Sequence, residues 1–247
     1  GLWQGIAIAA CALGMASKES MVTAPLVVML YERVFVYGSW GATFRNRERA
    51  YFYGALALTW VVLAILVLPG PRAGSAGLSV NVSVWTYLLN QASIIVRYLR
   101  LSIWPSGLVV NYGPPVPLTL GAVLPQALVV VSLLVATVAG LWRRPMLGFL
   151  GAWMFIVLAP TSSILPIATE AGAERRMYVP LMAIVAACVI GLYSLTTIRR
   201  RVTAQACRAL MGAIVIVLGA ATVARNREYA SALAIAQQDL RSRPNDY

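Results

Sequence analysis

Seven long apolar segments follow one another along the chain, and they constrain its fold more than any other feature. They occupy residues 2–16, 21–37, 51–68, 121–142, 146–160, 178–198 and 209–224. A helix needs about 20 apolar residues to cross a bilayer, and fewer when it enters a bundle. Only 11% of the residues are charged, against about 25% in an average soluble domain. We therefore predict an all-α, polytopic membrane protein with about seven spanning helices.

An eighth segment, 85–104, has a different pattern. Its apolar residues recur on one helical stripe, at Trp85, Leu88, Leu89, Ala92, Ile95, Val96, Leu99 and Ile103. Polar residues occupy the opposite face, namely Thr86, Asn90, Ser93, Arg97 and Arg100. Such a pattern is typical of an amphipathic helix that lies in the membrane interface. We predict one interfacial helix here, between Pro- and Gly-rich loops at 69–84 and 105–120.

The distribution of arginines predicts the topology. The formal net charge is +12, which in a soluble protein would suggest a nucleic-acid partner. Here the basic residues cluster between apolar segments, at 45–49, 143–144 and 199–208. We therefore predict that the chain's partner is the lipid bilayer and that it binds no nucleic acid. With 85–104 lying flat, the positive-inside rule places all three clusters on the cytoplasmic side. The opposite, outer side then carries 17–20, 161–177 and the tail.

The chain divides into two predicted parts. Residues 1–224 are predicted to be the C-terminal part of a multispanning membrane domain, because the sequence begins inside an apolar run without the basic start of a signal peptide. Residues 225–247 are predicted to form a soluble helical tail. Its apolar stripe consists of Tyr229, Leu233, Ala236 and Leu240. We expect the whole to be a piece of a longer protein.

The first charged group at the outer side is the turn that contains Lys18 and Glu19. Charged groups at membrane depth are costly, so they mark sites more often than surface charges do. Pro25 is expected to kink the following span and to open a cavity beside this turn. The alternative is that the two charges only hold the turn at the water interface.

The second charged group comprises Glu170, Glu174, Arg175 and Arg176, followed by Tyr178. The planar guanidinium of arginine matches phosphate oxygens in bidentate geometry, so paired arginines beside a membrane predict a site for a lipid phosphate. A neighbouring carboxylate can orient an arginine or accept a proton from a hydroxyl. The alternative is a salt-bridged loop with snorkelling arginines.

Arg97 and Arg100, on the predicted interfacial helix, are a third group. Headgroup contact is the favoured interpretation for them, and substrate binding is the alternative. The nearby aromatic residues are predicted to lie at the membrane interface, namely Tyr98, Trp104 and Tyr112. The three cysteines are predicted to be buried packing residues, namely Cys11, Cys188 and Cys207. The chain has no histidine, and its first aspartate is Asp239, so no metal site or other cofactor is identified. A divalent metal in the complete protein stays open.

Three stretches of the chain carry a resemblance to a known family. GMASKESMVTAPLVVMLYERVF resembles a charged outer turn that leads into a Pro-containing span ending in Tyr-Glu. LRLSIWPSGLVVNY resembles an outer segment with Trp-Pro and a terminal aromatic residue. ILPIATEAGAERRMYVPLM resembles an Ala-Glu-Arg…Tyr-x-Pro segment before a later span. Together they resemble the membrane O-mannosyltransferase-like proteins with tetratricopeptide repeats, within the C-type polyprenyl-phosphate-dependent glycosyltransferases. The tail RNREYASAL…RPNDY resembles the start of such repeats.

The resemblance implies a multispanning transferase whose site lies on the periplasmic face of a bacterial inner membrane, or on the lumenal face of the endoplasmic reticulum. Such an enzyme moves a sugar, here expected to be mannose, from a polyprenyl monophosphate to a hydroxyl with inversion. The repeats would bind a protein acceptor or partner. Fixed cations would stabilise the departing phosphate.

The resemblance also assigns residues. Glu174, Arg175 and Tyr178 match the Ala-Glu-Arg…Tyr segment, and Lys18 and Glu19 match the charged turn. The predicted substrate- or phosphate-binding residues are Lys18, Arg97, Arg100, Arg175, Arg176 and Tyr178. The family places an essential acidic residue in its first outer loop, which this chain lacks. The catalytic base is therefore expected upstream of Gly1, with Glu19 and Glu174 as the candidates within this chain, and the chain alone is expected to be inactive.

The sequence is also compatible with two other functions. A non-enzymatic membrane anchor could present a repeat scaffold to protein partners. A transporter for a lipid-linked sugar would need charges along a path through the spans, whereas this sequence keeps its charges near their ends. The transporter is therefore the least favoured.

Overall fold

The computed structural model describes residues 1–45, 47–67, 82–109, 112–162, 166–198, 201–228 and 231. The described chain is helical and contains no strand, which confirms the predicted all-α class. The α-helices are α1 Leu2–Ser17, α2 Ala24–Tyr31, α3 Trp40–Arg45, α4 Arg47–Val67, α5 Val84–Ile103, α6 Leu120–Arg143, α7 Pro145–Leu158, α8 Leu181–Ile198 and α9 Arg201–Glu228. Two 3-10 turns, Glu19–Thr23 and Glu174–Met177, and a π-helical segment, Glu32–Tyr37, complete the described helical elements.

Four helices in the described ranges are long and apolar enough to cross a membrane. They are Glu19–Tyr37, Arg47–Leu66, Leu120–Arg143 and Gln205–Arg227. The remaining apolar helices are shorter, namely Leu2–Ser17, Pro145–Leu158 and Leu181–Ser194. At 1.5 Å per residue these helices fall short of the roughly 30 Å hydrocarbon core. The membrane class of the chain is therefore supported, but the predicted number of seven spans is not confirmed.

The first long candidate span is made of three kinds of helix. The 3-10 turn Glu19–Thr23 leads into α2, and the π-helical segment Glu32–Tyr37 follows it. Pro25 lies in the first turn of α2, where its missing N–H removes no helical hydrogen bond. The kink expected at Pro25 stays a prediction, and the change from the 3-10 turn to α2 falls next to it.

The first core cluster joins α1 to α4. Cys11 and Met15 on α1 pack against Phe52, Tyr53 and Leu56 on α4. The prediction of three buried cysteines is confirmed for Cys11 alone, because Cys188 is exposed and Cys207 is half-buried. The exposed Cys188 lies on α8, an apolar helix with many other exposed apolar side chains.

Helices α6 and α7 form a tight antiparallel hairpin. A Cβ atom on Gly148 would lie 2.2 Å from the backbone nitrogen of Leu141, so the two backbones meet there without a side chain between them. Small residues permit this kind of close packing between membrane helices. Pro145 begins α7 in its first turn. At the same end of the bundle, Arg33 donates a hydrogen bond to the carbonyl oxygen of Leu141 at 3.3 Å.

Helix α5 is not among the four candidate spans. Ser83 caps its N-terminus by accepting a hydrogen bond from the Thr86 N–H. Its predicted polar face is only partly exposed, because Asn90 is buried and binds both backbone groups of Val116. The face therefore packs against the loop that follows the helix. The described residues of that loop, 105–109 and 112–119, are irregular as predicted, whereas 69–81 lie outside the described residues.

Helix α9 extends beyond the predicted domain boundary. It continues through residue 224 to Glu228. In the apolar stretch within Gln205–Arg227, no side chain is buried against the rest of the described chain, as expected of a helix that faces lipid. Apart from Ser231, the predicted tail after Glu228 lies outside the described residues, as does the residue pair 199–200 of the third basic cluster.

Candidate functional site

The candidate site lies at one end of the bundle, where α5 meets two irregular segments, the described residues 105–109 and 112–119 and the segment 166–173. Backbone hydrogen bonds join the segments: Tyr112 N–H donates to Gly172 O at 3.2 Å, and Ala171 N–H donates to Gly113 O at 2.7 Å. A Cβ atom on Gly172 would lie 2.8 Å from Cγ2 of Ile94 on α5. Glycine therefore permits the closest approach of segment 166–173 to the helix.

The buried face of α5 holds the second segment through side chain–backbone hydrogen bonds. The Tyr98 hydroxyl both donates to Ala173 O and accepts from Ala173 N–H, each at 2.8 Å. Gln91 Nε2 donates to Ala171 O at 2.7 Å. The Tyr87 hydroxyl donates to Thr161 O at 2.6 Å. Burial raises the pKa of Tyr98 to about 12, so the hydroxyl keeps the proton that it donates.

Glu170 joins the two predicted arginines. Arg175 Nη2 lies 2.6 Å from Glu170 Oε1, and Arg176 Nη2 lies 2.8 Å from the same oxygen. The Arg176 side chain is only 6% exposed, and its Nη1 also donates to the carbonyl oxygens of Thr161 and Ala171. Arg175 is 62% exposed, and within the described ranges only its Nη2 is engaged. The two neighbours in sequence therefore have different roles.

Glu174 lies at the centre of a second cluster. Its Oε1 accepts hydrogen bonds from Val109 N–H at 2.7 Å and from the Tyr112 hydroxyl at 3.0 Å. The guanidinium of Arg97 lies 4.4 Å from the centroid of the Tyr112 ring, a cation–π distance. Burial raises the pKa of Glu174, although its two hydrogen bonds and the charges of Arg225 and Arg97 act in the opposite direction.

Arg225 reaches this cluster from α9. Its Nη2 donates to Leu108 O at 3.2 Å, beside the Val109 N–H that binds Glu174. The boundary predicted at residue 224 had assigned Arg225 to the soluble tail. Burial also raises the pKa of the Tyr112 hydroxyl, and Glu174 adds to that shift.

The structure brings some of the predicted site residues together and leaves others apart. Glu174 and Arg97 share one cluster, and Arg175 and Arg176 share the other. The remaining predicted residues expose their side chains without a hydrogen bond or ion pair to any described residue, namely Lys18, Arg100 and Tyr178.

The structure bears on several further predicted roles. Arg176 donates to internal acceptors, which gives it a structural role, and its predicted part in phosphate binding stays a prediction. Tyr98 and Tyr112 are buried, so their assignment as interface aromatics is wrong, whereas Trp104 is exposed. Glu19 begins the 3-10 turn Glu19–Thr23 and is half-buried.

Sequence reasoning missed five residues that build the site. They are Tyr87, Gln91, Tyr98, Tyr112 and Arg225. Tyr87, Gln91 and Tyr98 follow one another at helical spacing along α5, and this stripe of residues able to form hydrogen bonds was the available signal. No comparable pattern marks Tyr112 or Arg225, because their partners are distant in sequence.

A further polar cluster lies at the opposite end of the bundle. Glu32 accepts hydrogen bonds from Arg49 at 2.9 Å and from the Tyr53 hydroxyl. This cluster joins the π-helical segment to the start of α4. In the described part of the chain, no three potential metal-ligating side chains lie together at either end.

The fold and the site define a class, an all-helical protein with apolar helices suited to a membrane and a polar cluster at one end of the bundle. Comparison with known proteins finds no matching family model, no similar curated protein and no similar solved structure. The resemblance to the repeat-bearing O-mannosyltransferase-like proteins therefore stays a prediction.

Proposed function

We propose that this chain is part of an integral membrane glycosyltransferase that moves a sugar, with mannose as the expected one, from a polyprenyl-phosphate donor to a hydroxyl acceptor. The observation that carries the proposal is the exposed guanidinium of Arg175, which Glu170 holds through one nitrogen. Its neighbour in sequence, Glu174, is half-buried. The site would lie at the outer face of the membrane. Four apolar helices long enough to span a membrane support the membrane setting.

Arg175 is the residue that we assign to the donor phosphate. Its Nη2 lies within 2.8 Å of both carboxylate oxygens of Glu170, which anchors one end of the guanidinium. The remaining N–H groups are in position to bind two phosphate oxygens, as arginine does in bidentate recognition. Arg97 adds a second positive charge close to Tyr112 and Glu174.

In the proposed step, one bond to the anomeric carbon forms as another breaks. The acceptor oxygen forms a bond to the anomeric carbon while the bond from that carbon to the phosphate oxygen breaks. The electron pair of the broken bond leaves with the phosphate, where Arg175 stabilises the charge that develops. The hydroxyl proton passes to a carboxylate, and attack opposite the leaving group inverts the anomeric centre.

Glu174 is the carboxylate of this chain that best suits a proton acceptor. Its pKa is raised by burial, and a general base works best when its pKa lies closer to the working pH than that of an exposed carboxylate. Its Oε1 is occupied by Val109 and Tyr112, so Oε2 is the oxygen we assign to the proton. Glu19 remains the other candidate within this chain.

The test uses membranes that carry the complete protein and a polyprenyl-phosphate mannose donor. We expect Arg175→Ala to lower sugar transfer at limiting donor about 10- to 100-fold, the effect of losing charge-assisted hydrogen bonds. Arg143→Ala is the matched control, because Arg143 is an exposed arginine at the C-terminal end of α6, away from the candidate site. Equal transfer by both variants and the unaltered protein would sink the assignment.

The alternative is a non-enzymatic membrane anchor that presents a repeat scaffold. One observation favours it: Glu170 already pairs with both arginines, as it would in a purely structural loop. The anchor predicts that Arg175→Ala leaves partner binding intact and that no lipid-linked sugar is consumed by the unaltered protein.

A further inference from the structure

A cavity of about 540 Å³ opens between α5, α6 and α7. One of its lining residues, Gln91, also holds Ala171 in the candidate site. Most of its lining is apolar and includes Leu88, Val130 and Phe155. Its volume is within the range of small-molecule sites in proteins. In a membrane such a cavity fills with acyl chains by default, so its volume alone identifies no ligand.

Two polar atoms distinguish this cavity from a plain lipid-facing groove. Among the described lining residues, Gln91 and Ser162 are uncharged and polar, and they are only 2% and 8% exposed. Gln91 Oε1 and Ser162 Oγ are both buried without a hydrogen-bond partner among the described residues. Buried polar atoms are almost always paired, so two unpaired atoms on residues that line one cavity require an explanation.

The hydrogen bond made by Nε2 fixes the orientation of the Gln91 amide. Nε2 donates to Ala171 O at 2.7 Å, and the flipped amide would place two oxygen atoms against each other. Oε1 must therefore act as an acceptor that lacks a donor. Ser162 Oγ can both donate and accept. The pair of atoms matches a group that donates one hydrogen bond and can also accept one.

The lack of charge in the described lining limits which of these groups can bind. None of the described residues that line the cavity is charged, and moving an ionised group into apolar surroundings without a partner is strongly unfavourable. A phosphate or a carboxylate is therefore a poor occupant. A hydroxyl supplies the missing donor without a charge.

We propose that this cavity binds the hydroxyl end of a neutral, long-chain lipid, with the hydroxyl between Gln91 Oε1 and Ser162 Oγ. The lipid chain then lies among the apolar side chains of α5, α6 and α7. This site is distinct from the phosphate site assigned to Arg175, and it does not depend on transferase activity.

The selectivity of the site comes from its two polar atoms. A lipid chain is as apolar as the cavity wall, so the chain gains little by leaving the bilayer. A hydroxyl-terminated chain gains hydrogen bonds that an alkane of equal length cannot form. We expect about a tenfold preference for the alcohol, the ratio that corresponds to a net hydrogen-bond contribution of ordinary size.

The experiment uses the full chain in phosphatidylcholine nanodiscs and a hexadecanol analogue with a photoreactive diazirine next to its hydroxyl. Labelled residues are located by mass spectrometry, and the label is competed with hexadecanol, hexadecane or hexadecyl phosphate. We expect labelling of α5 near Gln91 and of residues near Ser162. Hexadecanol should compete about tenfold better than hexadecane, and hexadecyl phosphate should compete weakly.

Ser162→Ala removes one of the two polar atoms and no hydrogen bond within the described residues, so the variant should fold. It should abolish the preference for hexadecanol over hexadecane. Ser132→Ala is the matched control, since Ser132 lies on α6 outside the cavity lining and should leave the preference unchanged. Gln91 is not a suitable test position because it also holds Ala171.

Three outcomes overturn the proposal. Equal competition by hexadecane means that bulk lipid chains fill the cavity. An unchanged preference in Ser162→Ala means that a bound water satisfies the polar atoms instead. Stronger competition by hexadecyl phosphate assigns the cavity to a phosphate-headed lipid. Because labelling is read without catalysis, and Arg175→Ala should not change it, failure here is distinct from failure of the proposed transferase function.

Discussion

One hydroxyl group, that of Tyr98, satisfies both backbone polar groups of Ala173, 75 residues further along the chain. Tyr98 is 1% exposed and Ala173 is fully buried. The pair fixes α5 against the residue that immediately precedes Glu174. The position of the candidate carboxylate is therefore set by a tyrosine on another helix.

Tyr98→Phe should destabilise the fold. The variant keeps the ring but leaves the N–H of Ala173 buried without a partner, at a cost of about 1–3 kcal/mol, whereas the Ala173 C=O keeps its hydrogen bond from the Arg176 N–H. The melting temperature of the detergent-solubilised protein measures the effect. Tyr178→Phe is the matched control, because Tyr178 is 82% exposed, and it should melt like the unaltered protein. A Tyr98→Phe variant as stable as its control would contradict the role given to this hydroxyl.

The two adjacent arginines should differ in their effect on stability. Arg176→Gln removes the buried cation that pairs with Glu170, and breaking a buried ion pair costs about 3–5 kcal/mol. The carbonyl oxygens of Thr161 and Ala171 keep their donors, Tyr87 and Gln91. Arg175→Gln removes an exposed pair, which costs about 0–1 kcal/mol. Chemical denaturation of both variants in the same detergent provides the comparison. If Arg175→Gln proves the more destabilising, the structural role belongs to Arg175 and the exposed role to Arg176.

The pH dependence of stability should reveal Glu174. The pKa of its carboxyl is raised in the folded state above its ordinary value of 4.5, chiefly by burial. The folded state therefore binds more protons, and the resulting stabilisation is complete below about pH 4.5 and is lost as the pH rises through the folded-state pKa. Relative to Glu174→Gln, the unaltered protein should lose stability over that interval.

Melting temperatures measured between pH 4 and pH 8, at roughly half-unit steps, test this sign. Glu19→Gln serves as the comparison for the removal of one carboxylate at the same end of the bundle. The assignment fails if the difference between Glu174→Gln and the unaltered protein is constant with pH, or if it changes in the opposite direction.

Gly148→Ala should disrupt the α6–α7 hairpin. The added methyl group would lie 2.2 Å from a backbone nitrogen and 2.5 Å from a backbone carbon, so the two helices must separate, and overpacking of this kind costs about 1–3 kcal/mol. Gly212→Ala on α9 meets no atom within 4 Å and should be neutral or slightly stabilising. Thermal unfolding of the two variants measures the contrast, and similar melting temperatures would argue against the hairpin contact.

The helices were predictable because long apolar runs leave a chain in a membrane few alternatives. The predicted segment 121–142 is almost the same as α6, Leu120–Arg143, and 146–160 is close to α7, Pro145–Leu158. The number of spans was less predictable. Apolarity alone does not distinguish a short helix inside a bundle from one that crosses the bilayer.

The site was predictable only in part. Charges that are close in sequence, such as Glu170 and Arg176, could be recognised as one group. The side chains that hold them could not, because a hydrogen bond from Gln91 to the backbone of Ala171 leaves no mark in the local pattern. The distinction between Arg175 and Arg176 likewise depends on burial, which two adjacent letters of the same type do not encode.

The contact between Arg225 and Leu108 has a mechanical consequence. Arg225 is near the end of a helix of 28 residues, and its hydrogen bond attaches that helix to the residue before Val109, which donates to Glu174. A tilt of α9 would therefore displace the loop and change the length of the hydrogen bond to the carboxylate. Helix α9 is thereby mechanically coupled to the site, and a displacement of its C-terminal end would be transmitted to Glu174.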